Sequence, residues 1–380
     1  MHTKRNQALT MHPLFFDPIY RTAYREEKDG KTALKYRDDI WGVRLEDNGD
    51  VTFTMHAPSA ETVEVAGVGG SMGRERIALE RDGEGNFSKT VSGIAPGFHY
   101  HFWYVDGVQV ANPVAPVAYG CFGATNFFEV PGEGEDFWFL KDVPHGEVRL
   151  EYFPSSVTGR TRACYVYTPP GYGQEGDRKY PVLYLQHGGG ESESGWLWQG
   201  KANLIADNLI AAGECPKLLI VLNCLYCPGP EPEEFLAGDF DSMLLKDCMP
   251  YIEGKYTVEP GKRAMAGLSM GSYQTIMTTL NHLGMFPYIG IFSGTPQRRW
   301  YAKEDYMKAF EDSEAFRERV KLLFFGYGEQ EERIVAALEE QFGEFRDKGI
   351  PYTAYTCPGY HEWTVWRKCL REFLKLLPKS

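Results

Sequence analysis

Seven short apolar runs recur between residues 163 and 356, at 163–168, 182–186, 218–223, 264–268, 289–292, 322–325 and 352–356. Runs of this length, bounded by turn residues, read as strands buried on both faces, as a parallel sheet requires. Segments of helical spacing lie between them. Strands separated by helices cross over and return parallel to one another instead of pairing as hairpins. The clearest helix covers 331–348, where Ile334, Val335, Leu338, Phe342 and Phe345 share one face. The last, from about 362 to 377, repeats the pattern with Trp363, Trp366, Leu370, Phe373 and Leu374. Both faces read as core packing. The pattern predicts an α/β domain on a mostly parallel sheet.

Residues 41–131 have a different rhythm, of short strands cut by Gly, Pro, Asn and Asp. The segments 51–55 and 62–66 alternate, and an aromatic strand from Phe98 to Val105 ends in an Asp106-Gly107 turn. This predicts a small β-sandwich. The expected order is therefore a polar, aromatic-spotted arm (1–40), an all-β module (41–131), a connector rich in Gly, Glu and Asp (132–144) and the α/β domain (145–380). With 43% hydrophobic and 24% charged residues, the 380-residue chain can bury two cores.

A formal charge of -12 without a long Lys/Arg run argues against nucleic acid as a partner. Neither a signal-peptide core nor a membrane-spanning run is visible, so a cytoplasmic protein is expected. The eight cysteines are scattered and expected to be free. Cys224 and Cys227 form a CxxC that lacks the second Cys or His pair of a zinc site. No metal and no cofactor are expected.

The strand at 264–268 runs into Gly267-Leu268-Ser269-Met270-Gly271, and the helix-like segment 273–280 follows. Glycines two residues either side of a serine allow the strained strand-turn-helix elbow that exposes a nucleophile. In a chain with 41 glycines the pentapeptide alone is a weak signal. Its context is stronger, because an α/β-hydrolase needs an acid and then a histidine after later strands. The strand at 322–325 leads into Glu329, Glu331 and Glu332, and the strand at 352–356 leads into Pro358-Gly359-Tyr360-His361. His282 is the other histidine downstream of Ser269, and it reads as a surface or helix-end residue. Glu331 is preferred as the acid for its distance past the strand, while its neighbours serve the helix dipole. An oxyanion hole would take backbone N–H groups from Met270 and from His187-Gly188-Gly189-Gly190. Gly189 is the choice there, with Gly188 or Gly190 as alternatives. That glycine loop lacks the Lys-Ser/Thr of a phosphate-binding loop.

Several stretches together resemble carbohydrate esterase family 1, the esterase D or feruloyl esterase family. They are Val143-Pro144-His145-Gly146, Tyr165 to Tyr172, Tyr180 to Gly190, Ala266 to Gly271 and Gly359 to Arg367. The resemblance implies an α/β-hydrolase fold, here preceded by an immunoglobulin-like module similar to glycogen-binding domains; Val51-Thr52-Phe53, Pro96 to Tyr100 and Val105-Asp106-Gly107 match that module's pattern. It implies a serine esterase with Ser269, His361 and Glu331 as its catalytic residues, acting on a small-molecule ester or acylated oligosaccharide. Feruloyl or other hydroxycinnamoyl esters of plant-derived saccharides, or small aryl esters, are the first choice. Acetyl xylan esterase, siderophore lactone hydrolase and acyltransferase are the alternatives within the fold. A carbohydrate-binding protein with an inert hydrolase domain is the alternative outside enzymes. Oligomeric state is left open.

The chain departs from the family at Glu331, where aspartate is usual, and at Ser272-Tyr273, where another glycine often follows the elbow. The latter pair is expected to narrow the acyl pocket. Trp196, Trp198 and Tyr226 lie on loops expected at the rim of the site, where they could stack on an aromatic acyl group or a sugar.

Overall fold

The computed structural model describes residues 23–36, 42–229, 238–296 and 304–379. The chain divides into two compact units, with the boundary between Asp136 and Phe137.

In the first unit, strands Ala23–Lys28 and Lys31–Tyr36 form an antiparallel hairpin. Asp29 and Gly30 turn it with φ of 55° and 71°, the positive values that match a two-residue turn to strand twist. The remainder of the 1–40 arm lies outside the described residues. Two antiparallel sheets follow. One has four strands, ordered Val43–Leu45, Val51–His56, Asn86–Val91, Glu80–Arg81. The other is built around the aromatic strand Gly97–Val105, which pairs with Gly123–Val130, Val63–Gly67 and Val108–Val110. Val51, Phe53 and Met55 from the first sheet and Val65, Trp103 and Phe128 from the second share one core. Two sheets over one core make a β-sandwich.

The second unit holds an eight-stranded sheet of β1 (Glu147–Ser155), β2 (Arg160–Thr168), β3 (Tyr180–Gln186), β4 (Leu219–Asn223), β5 (Val258–Leu268), β6 (Tyr288–Phe292), β7 (Leu322–Gly328) and β8 (Thr353–Cys357). Their order is β1-β2-β4-β3-β5-β6-β7-β8. β1 and β2 are antiparallel, as are β2 and β4, and every other pair is parallel. All seven predicted strands are present, and β1 is an eighth, on the edge. The longer α-helices are α1 (Ala202–Ala211), α2 (Met249–Lys255), α3 (Met270–Asn281), α4 (Ser313–Arg319), α5 (Glu332–Lys348) and α6 (Trp363–Lys375).

Helices cover both faces of the sheet. Ile289, Ile291, Leu323 and Phe325 share a core with Ile276 of α3 and Leu338, Phe342 and Phe345 of α5. The alternate residues Phe292 and Phe324 turn to the other face, where both meet Phe373 of α6. Part of the 132–144 connector packs into this unit. Phe137 and Trp138 are buried, the Arg367 guanidinium lies 4.2 Å over the Trp138 ring, and Asn208 donates to the carbonyls of Phe137 and Phe139. Because β3 and β5 to β8 run parallel, the loops leaving their C-terminal ends gather at one edge of the sheet.

Candidate active site

At that edge β5 ends and α3 begins with Ser269 between them, at φ 50° and ψ -117°. This is a strained backbone for a residue with a Cβ. The flanking glycines allow it for a steric reason. A Cβ on Gly267 would overlap the Gly271 carbonyl, and one on Gly271 would overlap the carbonyl oxygens of His187 and Gln186. The Ser269 N–H donates to the Phe292 carbonyl at 2.9 Å, tying the turn to β6. Ser272 points into the protein and donates from its hydroxyl to the Ser269 carbonyl at 2.6 Å. Its hydroxyl therefore braces the turn, which differs from the expected narrowing of an acyl pocket.

His361 Nε2 stands 2.8 Å from Ser269 Oγ, and His361 Nδ1 stands 2.6 Å from Glu331 Oε1. A carboxylate only accepts, so Nδ1 carries the proton and Nε2 faces the serine as an acceptor. The imidazole is partly open to solvent and edge-on to the Trp366 indole, with ring centroids 5.1 Å apart. Glu331 is 7% exposed, and its second oxygen accepts from the Gly328 N–H at 2.7 Å and the Ser293 hydroxyl at 2.8 Å. Glu331 immediately precedes α5, so its side chain reaches back over the end of β7. Glu329 lies on the same loop, and its N–H donates to the Cys357 carbonyl. His282 sits apart, 2.9 Å from Asp241.

The glycine loop after β3 lies along the elbow. A Cβ built on Gly188 would stand 3.4 Å from Ser269 Cβ. His187 anchors this loop from inside: Nδ1–H donates to the Gly188 carbonyl at 2.8 Å, and Nε2 accepts the Leu225 N–H at 3.1 Å. Burial pulls His187 down to about 4, which keeps it neutral and able to do both. The Gly190 N–H donates to the Tyr226 hydroxyl at 2.7 Å, so it is already engaged. Gly189 is exposed on the same loop, and Met270, as the first residue of α3, has an N–H with no intrahelical acceptor.

The three expected rim aromatics are placed differently from one another. Trp196 is a correction: it is 1% exposed, with its indole N–H donating to the Gln186 carbonyl and its ring edge-on to Trp363. Apolar surroundings on a short helical turn, Gly195–Trp198, draw it into the core. Trp198 is half-buried at the end of that turn. Tyr226 holds Gly190 and packs 5.6 Å from the His187 ring. Tyr360, which the sequence gives no role of its own, is 40% exposed beside His361. Ser293 is unmarked by any motif, apart from being a polar residue before a glycine at a buried strand's end. None of the eight cysteines is joined in a disulfide. Among the described residues no His/Cys/Asp/Glu group is arranged to hold a metal, and no helix is long and apolar enough to cross a membrane.

The family model Esterase, described as "Putative esterase", matches residues 155–377, more than half of the chain. An endo-1,4-beta-xylanase/feruloyl esterase of Xylanibacter ruminicola is 34% identical over 347 residues, which is 87% of this chain and 45% of that protein. Endo-1,4-beta-xylanase Y of Acetivibrio thermocellus is 30% identical over 191 residues, 47% of this chain and 17% of that protein. The chain thus spans less than half the length of either relative. Among solved structures, the enterobactin esterase of Shigella flexneri superimposes with a TM-score of 0.65 at 15% identity, over 88% of this chain and 95% of that one. A ferulic acid esterase of Anaeromyces mucronatus gives 0.53 at 20% identity, over 63% and 93%. At such identities these two likenesses are of fold. The matched family model, over a sheet of this topology, identifies the chain as a member of the Esterase family with the α/β-hydrolase fold.

Proposed function

We propose that the chain is a serine carboxylic ester hydrolase working through an acyl-enzyme on Ser269. One observation carries this reading: the unbroken hydrogen-bonded series from Ser269 through His361 to Glu331, at 2.8 and 2.6 Å. His361 Nε2 takes the Ser269 proton as Oγ attacks the ester carbonyl carbon. The carbonyl oxygen becomes an oxyanion, and the N–H groups of Met270 and Gly189 receive it. Collapse of this intermediate breaks the bond to the alcohol oxygen, which leaves with the proton held on His361. Water, deprotonated by the same nitrogen, then releases the acid and frees Ser269. Glu331 keeps His361 in the required tautomer and balances the imidazolium charge.

For substrate we propose feruloyl or related hydroxycinnamoyl esters of plant-derived saccharides, or small aryl esters. The feruloyl esterase name of the Xylanibacter ruminicola relative, at 34% identity, supports this choice. The test is a panel of methyl ferulate, 4-nitrophenyl acetate and a catecholate lactone, with products identified, for the native chain and Ser269→Ala. Turnover of methyl ferulate that Ser269→Ala abolishes is the expected result. Hydrolysis of the acetate alone would replace the feruloyl assignment with an acetyl esterase. Undiminished hydrolysis by Ser269→Ala would show that another group is the nucleophile.

A further inference from the structure

We infer that Ser293 is a positioning residue for Glu331, and that Trp366 sets the direction of its hydroxyl. The inference rests on the reading of Ser269, His361 and Glu331 as the reacting set.

Ser293 follows β6 and is buried, at φ 51°. Positive φ in a buried residue with a Cβ costs stability and persists only where surrounding contacts impose it. Here they are identifiable. The Ser293 N–H donates to the Gly326 carbonyl of β7 at 2.8 Å, while the preceding Phe292 carbonyl accepts the Ser269 N–H at 2.9 Å. Two adjacent residues thus tie the nucleophile's turn to the strand that delivers the acid.

The side chain completes the link. Ser293 Oγ receives the Trp366 indole N–H at 2.9 Å and lies 2.8 Å from Glu331 Oε2. An indole N–H can only donate, so it occupies a lone pair of the hydroxyl. A hydroxyl has one proton. With its acceptor side engaged and a carboxylate in reach, that proton goes to Glu331. The Gly328 N–H donates to the same carboxylate oxygen. Oε2 therefore takes two donors from the scaffold, and Oε1 faces His361 Nδ1. This fixes both the position of the carboxylate and the oxygen it offers. Trp366 acts twice, since the ring that orients Ser293 also stands edge-on against His361.

The test compares Ser293→Ala and Ser293→Gly with Glu331→Ala and with the double variant Ser293→Gly/Glu331→Ala. Glycine accepts φ 51° without strain, so it removes the hydroxyl while keeping the backbone; alanine retains the strain. Circular dichroism checks that each variant folds. The expected result is a kcat about tenfold lower for both single serine variants, with KM within about twofold, the loss of one hydrogen bond to a charged group. The double variant should be no slower than Glu331→Ala, because a group that acts through Glu331 has nothing to add once it is gone. Phosphonylation of Ser269 by a fluorophosphonate should slow in parallel. Native kcat in Ser293→Gly, or a loss that multiplies with that of Glu331→Ala, overturns the inference. Native activity in Ser269→Ala instead overturns the reading beneath it, and the two failures are distinct.

Discussion

Glu331 stands where the resemblance to carbohydrate esterase family 1 implies aspartate, and the extra methylene has a use. Its carboxylate must meet His361, Ser293 and the Gly328 N–H together, from a backbone position at the start of α5. Aspartate at 331 would withdraw the carboxylate by about 1.5 Å, one carbon–carbon bond. Glu331→Asp is therefore expected to lower kcat at least about tenfold with little change in KM, and Glu331→Gln by roughly a thousandfold through the wrong tautomer. Steady-state kinetics on one ester checks both. Tyr226 acts on the other side of the site. In Tyr226→Phe the Gly190 N–H loses its acceptor and the glycine loop loosens, so kcat should fall severalfold while the fold, followed by circular dichroism, persists. Ser269, His361 and Glu331 are readable in the sequence because each follows a recognisable strand. Ser293 and the bracing role of Tyr226 are not, since each depends on a partner that only folding brings near: Glu331 is 38 positions from Ser293, and Gly190 is 36 from Tyr226.

Elements differ in legibility for a physical reason too. The predicted strands at the centre of the sheet, β3 to β6, carry continuous apolar runs because they are buried on both faces, whereas β8, on the edge, leaves Thr353, Ala354 and Thr356 exposed. β1 carries Glu147, Arg149 and Glu151, and leaves Leu150 and Tyr152 exposed, so it has no continuous apolar signature. Its one buried charge, Glu151, is met by Tyr251 and Lys255 of α2 and by Tyr256, about a hundred residues away. An edge strand stabilised by so distant a partner looks like a loop in the sequence. The β5-to-α3 junction is the opposite case, since its packing demands are written in Gly267 and Gly271. In Gly271→Ala the new methyl would press on the carbonyls of Gln186 and His187, the end of β3 and the start of the glycine loop. The expected cost is about 1 to 3 kcal/mol, seen as a lower urea midpoint, with activity reduced further because the same shift moves Gly189.

Across the whole molecule, both units bury a neutral histidine, which sets a common limit at acid pH. His187 lies beneath the glycine loop, and His101 lies in the sandwich core among Phe53, Trp103 and Phe128. Burial pulls His187 down to about 4 and His101 to about 3, the latter with a smaller push from His99. A folded-state value below the unfolded value near 6.5 means that the unfolded chain binds the extra proton. Stability is then full above pH 6.5 and is lost as pH falls toward the folded values. The two residues differ in what else they do. His187 makes two hydrogen bonds, whereas among the described residues both ring nitrogens of His101 lack a partner. Replacing His101 with leucine, of similar volume, removes the acid penalty without breaking a bond. The gain should therefore grow as pH falls, exceeding that at pH 8 by about 2 kcal/mol at pH 5. Hydrogen exchange in the strand Gly97–Val105 of the full chain, compared between native and His101→Leu at pH 8 and pH 5 after correction for intrinsic rates, measures this. A protection gain of equal size at both pH values would mean that His101 is not the group whose protonation opens the sandwich.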